Sequence, residues 1–356
     1  MSEQAMNHLL RARFAETHPE VFLLDAGDPA RIEQYLLARD LVASAELPAR
    51  IEPAGAGNMN LTLRTSLRSR SLIVKQGRPW VEKYDHIAAP WERTLIEGDF
   101  YRAVRGVPAV SSRMPELLAL DRHNHVLVLE DLGPSGDFTS IYAQARISEA
   151  ELVELLDWLK ALAGISAPEP SHAGFANRAM RKLNHEHIFC FPLARQNGMD
   201  LDRLTGGLGL AAEELKRDGI YCRHVSDLGK EYLADQGSFV HGDYFPGSWV
   251  HGPRGIRIID PEFCFLGARE FDYGVMLAHL ALARAGVETA QQVMGATARE
   301  DLDQRLMLGF AGAEIMRRLI GVAQLPLPYG LDVKRRLLDV SRSLVVTPEQ
   351  GLSWRL

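Results

Sequence analysis

The chain has 356 residues, of which 46% are hydrophobic and 24% charged, with a formal net charge of −6. That length is too great for one small core, so two domains or one large two-lobed domain are expected of an ordinary globular composition. No run of basic residues stands out, which argues against a nucleic-acid or polybasic membrane role and leaves any anionic substrate to local arginines.

The first stretch, "MSEQAMNHLLRARFAETHPE", has no apolar core of signal-peptide length, and no apolar run elsewhere is long enough to span a bilayer. Cys190, Cys222 and Cys264 are far apart and form no CxxC pair. Neither a zinc knuckle nor a disulfide framework is expected, and a cytoplasmic, reducing location fits. "NHLLRARF" and "DPARIEQYLLARDLV" place apolar residues at three-and-four spacing, the second opened by Asp28 and Pro29, so residues from about 5 to 45 are expected to be helical. "ARIEPAG", "MNLTLRTSL" and "SLIVKQG" then read as strands, "APWERTLIEGDFYRAVRG" as a helix, and "PELLALD" and "HVLVLEDL" as two more strands. "GPSGD" breaks the pattern.

The second half reads as mainly helical. "SEAELVELLDWLKALAGI" begins with a capping box, Ser148 and Glu151. Only two short strands are expected here, "SFVHGD" and "IRIID", paired as a hairpin, before the apolar helices "FDYGVMLAHLALARAG" and "AGAEIMRRLIGVAQL". His185 and His187 flank Glu186 without HExxH spacing, so a structural or substrate-contact role is expected rather than a zinc site.

Four stretches fall in an order that phosphoryl transfer needs. "GAGNMN" is a turn between strands where glycine lets backbone N–H groups approach a ligand, and Gly55, Gly57, Asn58 and Asn60 are its candidate nucleotide contacts. Lys75 ends the strand "SLIVKQ", and Glu97, sharing a helix face with Arg93 and Tyr101, is the carboxylate that would hold it against nucleotide phosphates. In "FVHGDYFPGSWV", Asp243 follows a strand and could orient an attacking hydroxyl, with His241 organising the turn by hydrogen bonding. "IIDPEFCF" puts Asp260 and Glu262 at the end of the next strand, where alternation would aim both at one Mg²⁺. Taken singly, the glycine turn reads as a hairpin, Lys75 and Glu97 as ordinary surface, and HGD equally as an Asx-turn; the two carboxylates between "IRII" and "FCF" would be costly without a metal, and in this order the four favour a nucleotide.

These residues resemble the protein-kinase-like small-molecule kinases, the group of aminoglycoside phosphotransferases and choline kinases, and within it most closely the 5-methylthioribose kinases of methionine salvage. Ser248 in "HGDYFPGS" stands where most of the group has asparagine and methylthioribose kinases have serine. "IDPEFCFLGAREFDYG" and "AGAEIMRRLIGVAQL" look like their metal segment and arginine-pair helix. The likeness runs from about Ile51 to Gln324, and "VEKYDHIAAPWER", with Trp80 and Trp91 at its edges, loosely resembles their tryptophan-bearing nucleotide loop. "RKLNHEHIFCFPLARQNGMDLD", Arg181–Asp202, matches nothing in them and is assigned to the substrate-binding lobe, and no role is read for the longer segment from Gly174 to Asp202.

The resemblance implies an α+β, protein-kinase-like two-lobed fold: a small antiparallel-sheet lobe over 1–131 and a larger helical lobe over 132–356. It implies ATP and Mg²⁺ as cofactors, with Asp243 as base and Asp260, Glu262 and Ser248 on the metal. Lys75 and Glu97 would meet the phosphates, Glu130 and Leu132 of "LEDL" the adenine, and Arg317 and Arg318 the substrate or transferring phosphoryl. The implied acceptor is a small sugar-like molecule, 5-methylthioribose or a 5-deoxypentose at its anomeric hydroxyl. Related kinases include dimers, so a homodimer is compatible. Two alternatives stand: a kinase for another acceptor such as an aminoglycoside or choline, or a catalytically silent nucleotide-binding module.

Overall fold

Leu72 and Val74 point to one side of their strand and Ile73 and Lys75 to the other, and this alternation organises the first part of the chain. The computed structural model describes residues 3–55, 59–134, 136–165, 171–235, 237–252 and 255–349. They divide into two units, Met1–Pro134 and Ser135–Leu356.

The first unit carries helices α1 (Glu3–Thr17) and α2 (Pro29–Leu37) before strands β1 (Arg50–Pro53), β2 (Leu61–Ser66) and β3 (Ser71–Gln76). A short hairpin, β4 (Trp80–Val81) and β5 (Tyr84–Ala88), leads into α3 (Arg93–Val104) and α4 (Pro108–Ser111). Strands β6 (Leu117–Asp121) and β7 (Val126–Glu130) complete a five-stranded antiparallel sheet of order β1-β2-β3-β7-β6. Leu72 and Val74 join Ile32, Tyr35 and Leu36 of α2 in one core. The opposite face receives α3, whose Gly98 lies so close to the sheet that a Cβ there would stand 2.8 Å from Leu120.

The expected helical run over 5–45 is interrupted. Between α1 and α2 the chain is irregular, and side-chain amides capture it: Phe22 N donates to Asn124 Oδ1 (2.6 Å) and Leu24 N to Gln76 Oε1 (2.8 Å). Asp28 caps α2, accepting from Arg31 N at 3.2 Å. The β4–β5 hairpin is absent from the sequence reading. Trp80 and Trp91 pack on α1, both edge-on to Phe14, and Trp91 stacks on His125 with 4.0 Å between ring centroids.

In the second unit α5 (Ile141–Gln144) and α6 (Glu149–Ala163) come first. The capping box of α6 forms in both directions, Glu151 N to Ser148 Oγ and Ser148 N to Glu151 Oε2. There follow α7 (Arg178–His185), a π-helical turn over Glu186–Cys190, α8 (Leu208–Arg217) and α9 (Gly219–Leu233). Four short strands then appear where two were expected: β8 (Ser238–Val240), β9 (Trp249–Gly252), β10 (Gly255–Ile258) and β11 (Phe265–Gly267). The pairing differs as well. β8 pairs with β11 and β9 with β10, so the expected hairpin of 238–243 with 256–260 does not form. Alternation shows that a segment is a strand but not which partner it takes.

Helices α10 (Glu270–Leu282), α11 (Val287–Thr297), α12 (Gln304–Ile320) and α13 (Leu331–Val346) complete the unit. α10 is buried along its whole length and packs on α12, where Gly274 approaches the Met307 carbonyl and Phe310. Among the described residues, no helix is long and apolar enough to cross a membrane.

Candidate active site

In the first unit Lys75 lies on the α3 side of β3. Its ammonium donates to Glu97 Oε2 at 2.6 Å, with the two side chains only 5% and 1% exposed. The line Arg93–Glu97–Tyr101 on α3 is buried throughout. Arg93 gives this line a second function: its guanidinium donates to the carbonyls of Met59, Arg78, Trp80 and Pro90. It thereby ties the start of α3 to the end of the glycine-bearing turn. Gly55 adopts φ +137°, open only to glycine in practice, and Asn60 is buried. Gly57 and Asn58 lie outside the described residues. At the end of β7, the Glu130 carboxylate accepts from Glu116 N (3.1 Å). Asp131, which the sequence reading passes over, holds Arg64 in a two-pronged contact (2.7 and 3.0 Å), just before Leu132.

In the second unit the loop after β8 is set by backbone demands. Gly242 has φ +84°, and a Cβ there would press into the Phe263 carbonyl. Asp272 of α10 accepts from His241 N (2.6 Å) and Gly242 N (3.0 Å). Burial raises this carboxyl to about 7 even against those two donors. His241 is fully buried and organises the turn as its position suggests: Nε2 meets Ile259 O at 3.0 Å, and Asp243 N donates to Nδ1. Tyr244 stacks on Trp158 of α6 at 5.3 Å. Ser248 Oγ donates to the Asp243 carbonyl (2.8 Å), closing the turn over Pro246–Ser248.

Asp243 is left partly exposed, its side chain 24% accessible. One of its oxygens, Oδ1, accepts from Arg317 Nη2 (3.3 Å) and Arg318 Nη2 (3.2 Å). Burial raises its carboxyl above the ordinary range, and the two guanidiniums pull the other way. Asp260 and Glu262 flank Pro261 in the loop after β10, not on the strand itself. Asp260 takes φ +68°, so the alternation expected to align the two carboxylates does not apply. Glu262 is buried and Asp260 half-buried.

The segment from Gly174 to Asp202 braces these loops. Asn177 donates to the Cys264 carbonyl (2.8 Å) and to that of Glu262 (3.4 Å). Asn184, in the last turn of α7, donates to the Gly242 carbonyl (3.4 Å). His185 sits against Gly229 of α9, and burial with the nearby Arg317 charge lowers the His187 pKa.

Comparisons with known proteins give the family and the fold. The family described as "Phosphotransferase enzyme family" matches residues 50–306, and the chain belongs to it. Its class is therefore that of small-molecule kinases, with the kinase-like α+β fold expected above. Among similar proteins, methylthioribose kinase of Exiguobacterium sibiricum is 24% identical over 78% of this chain and 80% of its own. That of Geobacillus sp. is also 24% identical, over 85% and 87%. Among solved structures, Plasmodium vivax ethanolamine kinase aligns with TM-score 0.54 at 10% identity, covering 93% of this chain and 92% of its own. A spectinomycin phosphotransferase solved with ADP and spectinomycin aligns with 0.53 at 13%, over 89% and 98%.

Proposed function

We propose that this protein transfers the γ-phosphoryl group of ATP to a hydroxyl of a small, uncharged sugar, with 5-methylthioribose phosphorylated at its anomeric hydroxyl as the best-supported acceptor. The observation that carries this reading is the pair of guanidiniums resting on one oxygen of Asp243. Cationic acceptors such as choline or an aminoglycoside need a surplus of acidic side chains, and here the charges of Asp243 and Glu314 are already matched by the two guanidiniums. The two methylthioribose kinases at 24% identity point the same way.

In this reading Asp243 orients the acceptor hydroxyl for in-line attack and takes its proton, its basicity kept up by burial. Lys75, held by Glu97, neutralises phosphate charge. Asp260 and Glu262 offer hard carboxylate oxygens, the donor type that Mg²⁺ takes, and would hold it. The ion, when bound, neutralises charge on the phosphates. Ser248 Oγ, though donating to a carbonyl, keeps lone pairs for a metal-bound water.

An ADP-release assay over an acceptor panel tests the proposal. We expect turnover with methylthioribose and none with choline or kanamycin, and we expect Asp243→Ala to lower kcat by at least about a thousandfold with ATP affinity nearly unchanged. Turnover confined to a cationic acceptor, or near-normal turnover of the Ala variant, would overturn it. ATP binding without turnover on any acceptor would favour the silent module.

A further inference from the structure

Beneath Asp243 lies a buried polar chain that the reaction as described does not use. Glu314, on α12 and only 1% exposed, divides its carboxylate between two neighbours: Oε2 accepts from Arg317 Nε and Oε1 from Arg318 Nε (2.7 Å). Oε1 also accepts from His279 Nε2 (3.1 Å), on α10. The other ring nitrogen of His279 accepts from the Tyr142 hydroxyl of α5 at 2.6 Å. Burial pushes the His279 pKa down to about 4, so the ring is neutral, and a neutral ring that donates through Nε2 must accept through Nδ1. Burial alone would raise Glu314; the two guanidiniums and His279 outweigh it and hold its carboxyl well below the usual range. Each arginine is thus gripped twice, by Glu314 at Nε and by Asp243 Oδ1 at Nη2. The arginines converge on Oδ1, and among the described residues no donor reaches Oδ2.

We propose that Glu314 is a positioning residue for Asp243. Its forked grip on Arg317 and Arg318 holds Oδ1 still and turns Oδ2 to the acceptor hydroxyl, while Tyr142 and His279 fix Glu314 in turn. The inference rests on the reading of Asp243 as the base. Two adjacent guanidiniums sharing one acceptor oxygen repel each other, and the Glu314 charge offsets that repulsion. A neutral side chain of the same shape loses the charge and places an N–H₂ group against a donor, so one arginine leaves and the base rotates.

The test is Glu314→Gln, alone and in an Arg317→Met/Arg318→Met background. We expect kcat to fall roughly 10- to 100-fold in the otherwise wild-type chain, with KM for ATP within about twofold. In the arginine-less background the same change should cost less than about twofold, because Glu314 acts through the arginines. An effect of equal size in both backgrounds, or a folded Glu314→Gln enzyme with near-wild-type kcat, overturns the proposal. Should Glu314→Gln not fold, Tyr142→Phe serves: a fall of about 3- to 10-fold in kcat is expected, and no change counts against the chain. A second readout needs no turnover. In arginine ¹⁵Nε–¹H spectra, assigned with Arg317→Lys and Arg318→Lys, two protected signals should be lost or shifted in Glu314→Gln, or shifted in Tyr142→Phe. If the wild type phosphorylates nothing, the functional reading has failed; if the two signals ignore the substitution, the positioning inference has failed.

Discussion

Lys75 and Glu97 form an ion pair taken almost wholly out of water, 2.6 Å apart. Removing one member of such a pair leaves the other charge buried, which costs about 3–5 kcal/mol, whereas replacing both with apolar groups is often near neutral. Lys75→Met should therefore destabilise the fold by about that amount, and Lys75→Met/Glu97→Leu should recover most of the loss while staying inactive. Urea unfolding of the two variants checks it; a single variant losing under about 1 kcal/mol would mean that the pair is better solvated than its burial indicates. The pairing is legible in sequence because a strand of period two and a helix of period 3.6 each fix a face. Glu314 is not legible. A glutamate three and four residues before two arginines is the common pattern of a solvated helix surface, and only the burial of all three separates this case from that one. Asn177 and Asn184 escape notice for another reason: the contacts by which they hold the loops go to carbonyls, which no side-chain pattern reveals.

The loop from His241 to Ser248 owes its shape to four surrounding elements. α10 supplies Asp272, α6 supplies Trp158 and α7 supplies Asn184, while the chain before β11 presses the Phe263 carbonyl against Gly242. Gly242 is the position where this arrangement tolerates least. An alanine there takes a positive φ that costs about 1–2 kcal/mol, and its Cβ would also lie 2.7 Å from the Phe263 carbonyl carbon. Gly242→Ala should lower stability by at least about 2 kcal/mol and kcat by more than tenfold, since Asp243 is the next residue. Thermal unfolding beside the ADP-release assay measures both, and a variant equal to wild type in each would show that the loop can relax. The motif is legible in sequence, but its setting is not. Expecting β8 to pair with residues 256–260, the next strand read in the sequence, is natural from chain order; those residues pair with β9 instead, and β11 lies beside β8.

The two units differ in what holds them. The first is a sheet with an apolar core on the α2 face and a buried ion pair toward α3. The second is a helical core whose middle pair, α10 and α12, carries a polar chain through otherwise apolar packing. Composition and periodicity give the division into a strand-rich and a helix-rich part. They cannot give the polar chain, because His279 sits in an apolar run and nothing in the sequence around Tyr142 marks it as its partner.

That chain makes stability depend on pH in a definite direction. His279 takes up a proton near pH 6.5 when unfolded, but only near pH 4 when folded, because burial beside Arg317 and Arg318 disfavours its charge even against Glu314. Between those values the unfolded chain binds more protons, so stability present above pH 6.5 is lost as pH falls toward 4, by about 3 kcal/mol for this residue. His125, His185 and His187 are also lowered by burial and share the window, so the total slope is not diagnostic. The difference between wild type and His279→Gln is. Glutamine can donate to Glu314 and accept from Tyr142 without titrating, so the variant should lose less stability than wild type between pH 6.5 and 4. Parallel curves from denaturant titrations across that range would mean that folded His279 takes up its proton as readily as the unfolded chain; the ring would still donate to Glu314 through Nε2, but Nδ1 would donate to the Tyr142 oxygen instead of accepting from it.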